Sequence, residues 1–253
     1  MRKIFDAHIH LDKYQQEEVE IILQDAEGVI TVSGDLESCK TNLELAKTFS
    51  VVYPAFGFHP EQSLAGEKEL EALIQWIRRA KDKAIAVGEV GLPYYLHKEN
   101  KLNTSLAEYV ICLNEFIKLS KELEKPVVLH AVYEDAQTAC DLLERHSVSR
   151  AHFHWFKGEP ALVSRLIANG YHISVTPDLL YKKRTQELVK AFPLEKIMVE
   201  TDGPWPFAGP FAGMLTRPLL LHQTLEGIAG LKGESLAAVY GQVYENTRKF
   251  YAL

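Results

Sequence analysis

Cysteine is scarce in this chain: Cys39, Cys112 and Cys140 stand far apart, and no Cys-x-x-Cys pair occurs. A scattered, odd set gives neither a disulfide framework nor a thiolate metal motif, so reduced thiols in a cytoplasmic protein are expected. Long apolar runs are missing too. None approaches the roughly 20 residues that span a bilayer, and no membrane partner is expected. Met1-Arg2-Lys3 leads straight into a short run containing Asp6 and two histidines, which is not a secretory apolar segment. Positive charge is in deficit, with 28 Lys and Arg against 34 Asp and Glu and a formal net charge of −6. That argues against a surface built for non-specific duplex binding, which needs many phosphate-neutralising cations. Nucleases stay open, because bound divalent cations add positive charge that a residue count omits. No Gly/Ser linker, charge block or low-complexity segment divides the 253 residues, so a single domain over residues 1–253 is expected.

What the chain has instead is alternation. Short apolar, β-branched runs predict strands at Lys3–His10, Gly28–Ser33, Val51–Phe58, Ala84–Gly91, Pro126–Val132, Arg150–Phe156, His172–Thr176 and Lys196–Thr201. Amphipathic stretches between them predict helices, among them Glu67–Lys81, Leu102–Glu124, Glu134–Arg145, Pro160–Asn169 and Lys182–Phe192. In the longest, Leu106, Tyr109, Val110, Leu113, Phe116, Ile117 and Leu123 recur at threes and fours, with Asn103 or Thr104 as candidate caps. Gly170 is a candidate helix stop. Eight strand–helix alternations in about 250 residues predict an α/β fold, a (β/α)8 TIM barrel of parallel strands. Pro218–Ala229 would supply its last helix and Ser235–Phe250 an extra C-terminal helix.

Metal-type residues gather at one end of these strands. His8 and His10, two apart, face one side of a regular strand with Cα atoms roughly 6.6–6.8 Å apart. Both can then reach one divalent ion at about 2.0–2.1 Å per bond. Glu89 ends the fourth strand, His130 the fifth and His154 the sixth, while Asp202 follows the eighth. Barrel enzymes place their active sites at these C-terminal strand ends. Glu89 lies inside Val87-Gly88-Glu89-Val90-Gly91, where an unpaired charge is costly, so it needs a cation or, alternatively, a buried Arg or Lys. Its two oxygens can bridge two metals about 3.5–4 Å apart. His130 could instead be a core histidine. His152, two before His154, is expected to pack or to support that residue, and Glu200 to pair within the barrel.

Asp6-Ala7-His8-Ile9-His10-Leu11-Asp12, Gly57-Phe58-His59-Pro60, Gly88-Glu89-Val90-Gly91-Leu92, Val128-Leu129-His130, His154-Trp155-Phe156-Lys157-Gly158 and Glu200-Thr201-Asp202-Gly203-Pro204 follow in order. Together they resemble the TatD-type metal-dependent hydrolases and deoxyribonucleases of the amidohydrolase-like superfamily, over residues 4 to about 218. The resemblance implies two divalent ions, Zn²⁺, Mn²⁺ or Mg²⁺. His8, His10, Glu89 and Asp202 would hold one, and Glu89, His130 and His154 the other. The chain departs from the family pattern in two places. Leu92 is followed by Pro93 where the family usually has Asp, with Tyr94-Tyr95 as a partial replacement. The basic segment expected after Asp202 is absent, Arg217 being the one basic residue between 203 and 218.

The expected chemistry is attack of activated water on a phosphoester, with 3′–5′ exonuclease activity on DNA or action on a small phosphoester. Asp202 would orient the water and take its proton; His59 either binds phosphate, assists the leaving group, or is structural. Arg217 and Lys98 are weaker phosphate-contact candidates. Tyr94, Tyr95, Trp155 and Trp205, expected on mouth loops, either stack on a base or pack a lid. Lys182-Lys183-Arg184 either touches a nucleic-acid backbone or, as such triplets more often do, forms a solvated helix start. Two rival readings are an amidohydrolase or lactonase acting on a small cyclic amide or ester, and a non-catalytic metal-stabilised binding barrel. Oligomeric state is not legible.

Overall fold

Eight parallel strands pair in chain order, β1 with β2 through β7 with β8, in a computed structural model that describes residues 4–253. The strands are β1 (Phe5–Ile9), β2 (Gly28–Val32), β3 (Val52–Phe56), β4 (Ala86–Gly91), β5 (Val127–His130), β6 (Ala151–Phe153), β7 (His172–Val175) and β8 (Ile197–Val199). Each falls inside its expected run; Lys3, the start of the first, lies outside the described residues. The ring is drawn together by backbone bonds between the ends of its first and last strands. Asp202 N–H donates to His8 O at 3.0 Å, and His10 N–H to Gly203 O at 2.8 Å. This is a (β/α)8 TIM barrel.

The helices are α1 (Gln16–Gln24), α2 (Leu36–Thr48), α3 (Glu67–Arg79), α4 (Tyr94–Lys98), α5 (Leu106–Glu122), α6 (Asp135–Arg145), α7 (Pro160–Ala168), α8 (Lys183–Ala191), α9 (Leu221–Lys232) and α10 (Leu236–Tyr251). The five named from periodicity form within a few residues of their expected limits. Helix α5 starts later than expected, after Ser105, because Glu108 reaches back to accept the Ser105 N–H at 3.1 Å. Asn103, a candidate cap, instead uses Oδ1 to accept from Leu64 N and Tyr109 Oη. Gly170 does stop α7, at φ +71°. Tyr94 and Tyr95 begin a short helix rather than lying in an open loop. No helix among the described residues is long and apolar enough to cross a membrane.

One apolar cluster joins Ala7, Ile30, Val32, Ala55, Ala86, Val128 and Met198, from six strands, to Phe250 and Tyr251 of α10. Side chains from strands so far apart in the ring meet only inside it. Alanine at 55 and 86 leaves room for the two aromatic rings, so the extra C-terminal helix plugs the barrel. At the opposite end, β4 and β5 approach closely around Glu89. A Cβ on Gly91 would lie 1.9 Å from the carbonyl oxygen of His130, which itself accepts the Leu92 N–H at 3.0 Å. Glycine is required there because the obstacle is backbone. Gly91→Ala should therefore destabilise the fold by about 3 kcal/mol, the upper range for overpacking. Urea denaturation checks this, and a loss within experimental error would contradict the close approach.

Candidate metal centre

Glu89 is fully buried, and its two oxygens face different sets of imidazoles. Oε2 lies 3.2 Å from His8 Nε2 and 3.4 Å from His10 Nε2. Oε1 lies 2.7 Å from His154 Nε2, 3.0 Å from His130 Nδ1 and 3.3 Å from His59 Nε2. Asp202 Oδ1 completes the first set, 3.4 Å from both His8 Nε2 and His10 Nε2. Among the described residues no Arg or Lys pairs with Glu89, which removes the alternative of a conventional buried ion pair. The six expected ligands thus converge, brought in by the ends of β1, β4, β5 and β6 and by the turn after β8. Asp202 adopts φ +49° in that turn, and its side chain lines the barrel mouth.

The donor set suits divalent cations. His8 Nε2, Glu89 Oε2 and Asp202 Oδ1 are buried and make no hydrogen bond, although they face one another at ion-pair distance. A cation among them would satisfy all three at once. The groups His8, Glu89 and His154, and His8, His10 and Asp202, have ligand atoms mutually within 4.8 Å. A third such group, His59, Glu89 and His130, fits a cation less well. His59 Nδ1 accepts the Glu61 N–H at 3.1 Å, so a neutral ring carries its proton on Nε2, the atom that faces Glu89. His59 is placed to donate a hydrogen bond rather than to ligate.

Electrostatics separates the same groups. Burial and neighbouring His154 oppose protonation of His8, yet Glu89 and Asp202 outweigh them and push it up to about 9. His10, His130 and His154 reach about 9 in the same way, against burial, through their carboxylate neighbours. Burial raises Glu89 and Asp202, but the surrounding imidazoles hold both below the usual carboxylate range. His59 stays below its ordinary value, because burial there outweighs Glu89.

Further groups hold this shell in place. Glu200 accepts the Trp155 N–H at 2.7 Å and the Ser174 hydroxyl, and lies 3.5 Å from His154 Nδ1. His152 sits below, with Nε2 2.6 Å from Ser174 Oγ and Nδ1 2.8 Å from Tyr251 Oη, packed away from the cavity as expected. Asp6 accepts from Thr201 N at 3.0 Å, from the Thr201 hydroxyl and from His8 N at 3.2 Å, tying β1 to the residue before Asp202.

Two residues without an expected role reach the site. Glu61, directly after His59-Pro60, lies 3.3 Å from His130 Nε2 and accepts N–H bonds from Tyr95 and Leu96 at 2.8 and 2.9 Å. It puts a carboxylate beside the site although Pro93 stands where the family has Asp. Lys157 lines the mouth, whereas two candidates do not: Arg217 pairs with Asp25 at 3.3 Å, and Lys98 lies over the Tyr94 ring at 5.7 Å. The mouth cavity, about 350 Å³, is lined by His10, His59, Glu61, Tyr95, His130, Val132, His154, Trp155, Lys157, Asp202 and Trp205.

Residues 5–252 match the family described as TatD related DNase. The chain belongs to that family. A metal-dependent hydrolase of uncharacterised role from Haemophilus influenzae is 37% identical over 99% of this chain and 100% of its own length. The human protein named Deoxyribonuclease TATDN3 is 27% identical, over 98% and 94%. Among solved structures, a TatD homolog from Escherichia coli K12 superposes with a TM-score of 0.88 at 25% identity, over 99% and 98%. The protein is accordingly a TatD-type metal-dependent hydrolase.

Two outcomes follow for a centre of this composition. Between the ordinary histidine value and about 9 the metal-free rings hold protons that cation binding must expel. Zn²⁺ titration calorimetry near neutral pH should give heats that differ between buffers of different ionisation enthalpy, with affinity rising toward pH 9; identical heats would contradict the raised values. Glu61→Gln should weaken cation affinity about tenfold, because the partner that orients His130 loses its charge. An unchanged affinity would make Glu61 a loop contact alone.

Proposed function

We propose that this TatD-family chain hydrolyses phosphodiesters with two divalent cations, Zn²⁺, Mn²⁺ or Mg²⁺, and removes nucleotides from the 3′ end of DNA. The carrying observation is the division of Glu89: one oxygen among His8, His10 and Asp202, the other beside His130 and His154, under one cavity. Glu89 with His8, His10 and Asp202 would hold one cation, and Glu89 with His130 and His154 would hold the other. Such a pair of cations, when bound, polarises phosphoryl oxygens and makes water acidic enough to attack near neutral pH.

The chain's own residues then have separable tasks. Asp202 lines the cavity floor and is held ionised, so it orients the attacking water and accepts its proton. As the water oxygen bonds to phosphorus, the bond to the 3′ oxygen breaks, and the leaving oxygen takes a proton from solvent. His59 offers Nε2–H to a phosphate oxygen where negative charge develops. Its Nδ1 is occupied by the Glu61 N–H, which favours hydrogen bonding over proton delivery to the leaving group. DNA as substrate is supported by the family description and by the name of the human relative.

The test is a metal-dependent screen of the purified protein on single-stranded DNA, RNA, a chromogenic phosphodiester, a lactone and a cyclic amide. Chelator-sensitive activity on the DNA and the phosphodiester is expected, lowered about 10³-fold in Asp202→Ala. Activity confined to the lactone and amide would overturn the nuclease reading in favour of an amidohydrolase. Full phosphodiesterase activity in metal-loaded Asp202→Ala would overturn the role given to Asp202.

A further inference from the structure

Lys157 is the one Lys or Arg among the described residues lining the mouth cavity. Its ammonium sits 4.1 Å from the centre of the Trp155 ring and donates to Tyr95 Oη at 3.1 Å. Trp155 is itself fixed, its indole N–H donating to Asp178 at 2.9 Å. Among the described residues no carboxylate forms an ion pair with Lys157, so this cation is placed but not neutralised. Burial holds it below its ordinary value, against the opposing pull of Asp178, Asp202 and Glu200.

The rest of the rim has a different character. Residues 203–216 carry no charge at all, and Trp205, Met214 and Leu215 are 53%, 46% and 39% exposed. Arg217, next in sequence, is tied to Asp25 away from the cavity. A rim that follows a strand needs a succession of cations along the backbone. The cavity itself is lined by a single cation together with Tyr95 and Trp205, Arg184 being engaged outside it with Tyr133 and Lys98 with Tyr94. The cavity, about 350 Å³, also falls near the lower limit of the roughly 300–1,000 Å³ typical of small-molecule sites.

We propose that Lys157 is the substrate-phosphate residue of the rim, and that the site takes a short nucleotide unit, one aromatic base and one phosphate flanking the scissile bond, rather than a length of strand. The proposal rests on the phosphodiesterase reading above, but part of its test does not depend on turnover. Thymidine monophosphate binding to the metal-free protein, followed by tryptophan fluorescence, should weaken about tenfold in Lys157→Gln and recover in Lys157→Arg, as one charge-assisted hydrogen bond to phosphate is removed and then supplied again. Lys98→Gln, which removes an equal charge outside the cavity, should leave binding unchanged.

For turnover, a 5′-phosphorylated dinucleotide and a single strand of about 20 nucleotides should agree in kcat/KM within roughly threefold, with a log–log salt slope near −0.7 for one phosphate neutralised. In Lys157→Gln the slope should flatten and KM rise more than kcat falls. Unchanged binding and slope in that variant would overturn the role of Lys157. A preference for the long strand above about 30-fold, with a slope of several neutralised phosphates, would overturn the short-substrate assignment. A wild-type protein that binds thymidine monophosphate through Lys157 yet cleaves neither nucleotide substrate would overturn the phosphodiesterase reading and leave a nucleotide site on another hydrolase.

Discussion

A carboxylate buried without a lysine or arginine is the constraint around which this barrel is arranged. An isolated ion in such a place costs several kcal/mol even after the protein relaxes, roughly the magnitude of a domain's whole net stability. Glu89 meets that cost with imidazoles delivered from four other strands and loops. In the metal-free state protons on those rings supply the compensating charge, which is why four of them are held near 9. Divalent cations supply the same charge with less crowding. Protons and cations therefore compete for one set of atoms, and either can neutralise the buried carboxylates.

The imidazoles converge only because the strands that carry them are held in close register, and the structure provides for this from beneath. Phe250 and Tyr251 of the last helix fill the space left by small residues at positions 55 and 86. Tyr251 then reaches His152, His152 reaches Ser174, and Ser174 reaches Glu200, which borders His154. On the other side Asp6 grips Thr201, so the turn that presents Asp202 is fastened to the strand that presents His8. The extra C-terminal helix is in this sense part of the centre. The helix end is thereby linked to His154 through four polar groups.

Legibility in the sequence followed the range of the interactions involved. Strand limits, helix periodicity and the strand-end histidines depend on neighbours within a few residues, and they stand where spacing puts them. Glu61 was not visible because its partners, Tyr95, Leu96 and His130, lie 34, 35 and 69 residues away. Lys157 stands inside the motif that follows His154, yet only the folded chain puts its ammonium over Trp155 and into the cavity. Arg217 attracted a role as the lone basic residue of its segment, and Asp25, close only in three dimensions, explains it instead. Composition told less than expected: a net charge of −6 describes the whole chain, whereas one lysine lines the mouth cavity among the described residues.

Centre and rim obey different physical rules, and the difference bears on what function can be read from each. At the centre the polar atoms are buried, so changing one ligand leaves another charge or lone pair unsatisfied; burial dictates the set as a whole. Such a set suits divalent cations and says little about the substrate above it. At the rim, Trp205 and Tyr95 are exposed, and Lys157 rests on Trp155 and Tyr95 with no ion pair among the described residues. The segment 203–216 carries no charge, and Trp205, Met214 and Leu215 on it are exposed, so it meets solvent with apolar surface and no ion pair. Lys157, the one Lys or Arg lining the cavity among the described residues, belongs to this solvent-facing rim and not to the buried set beneath it.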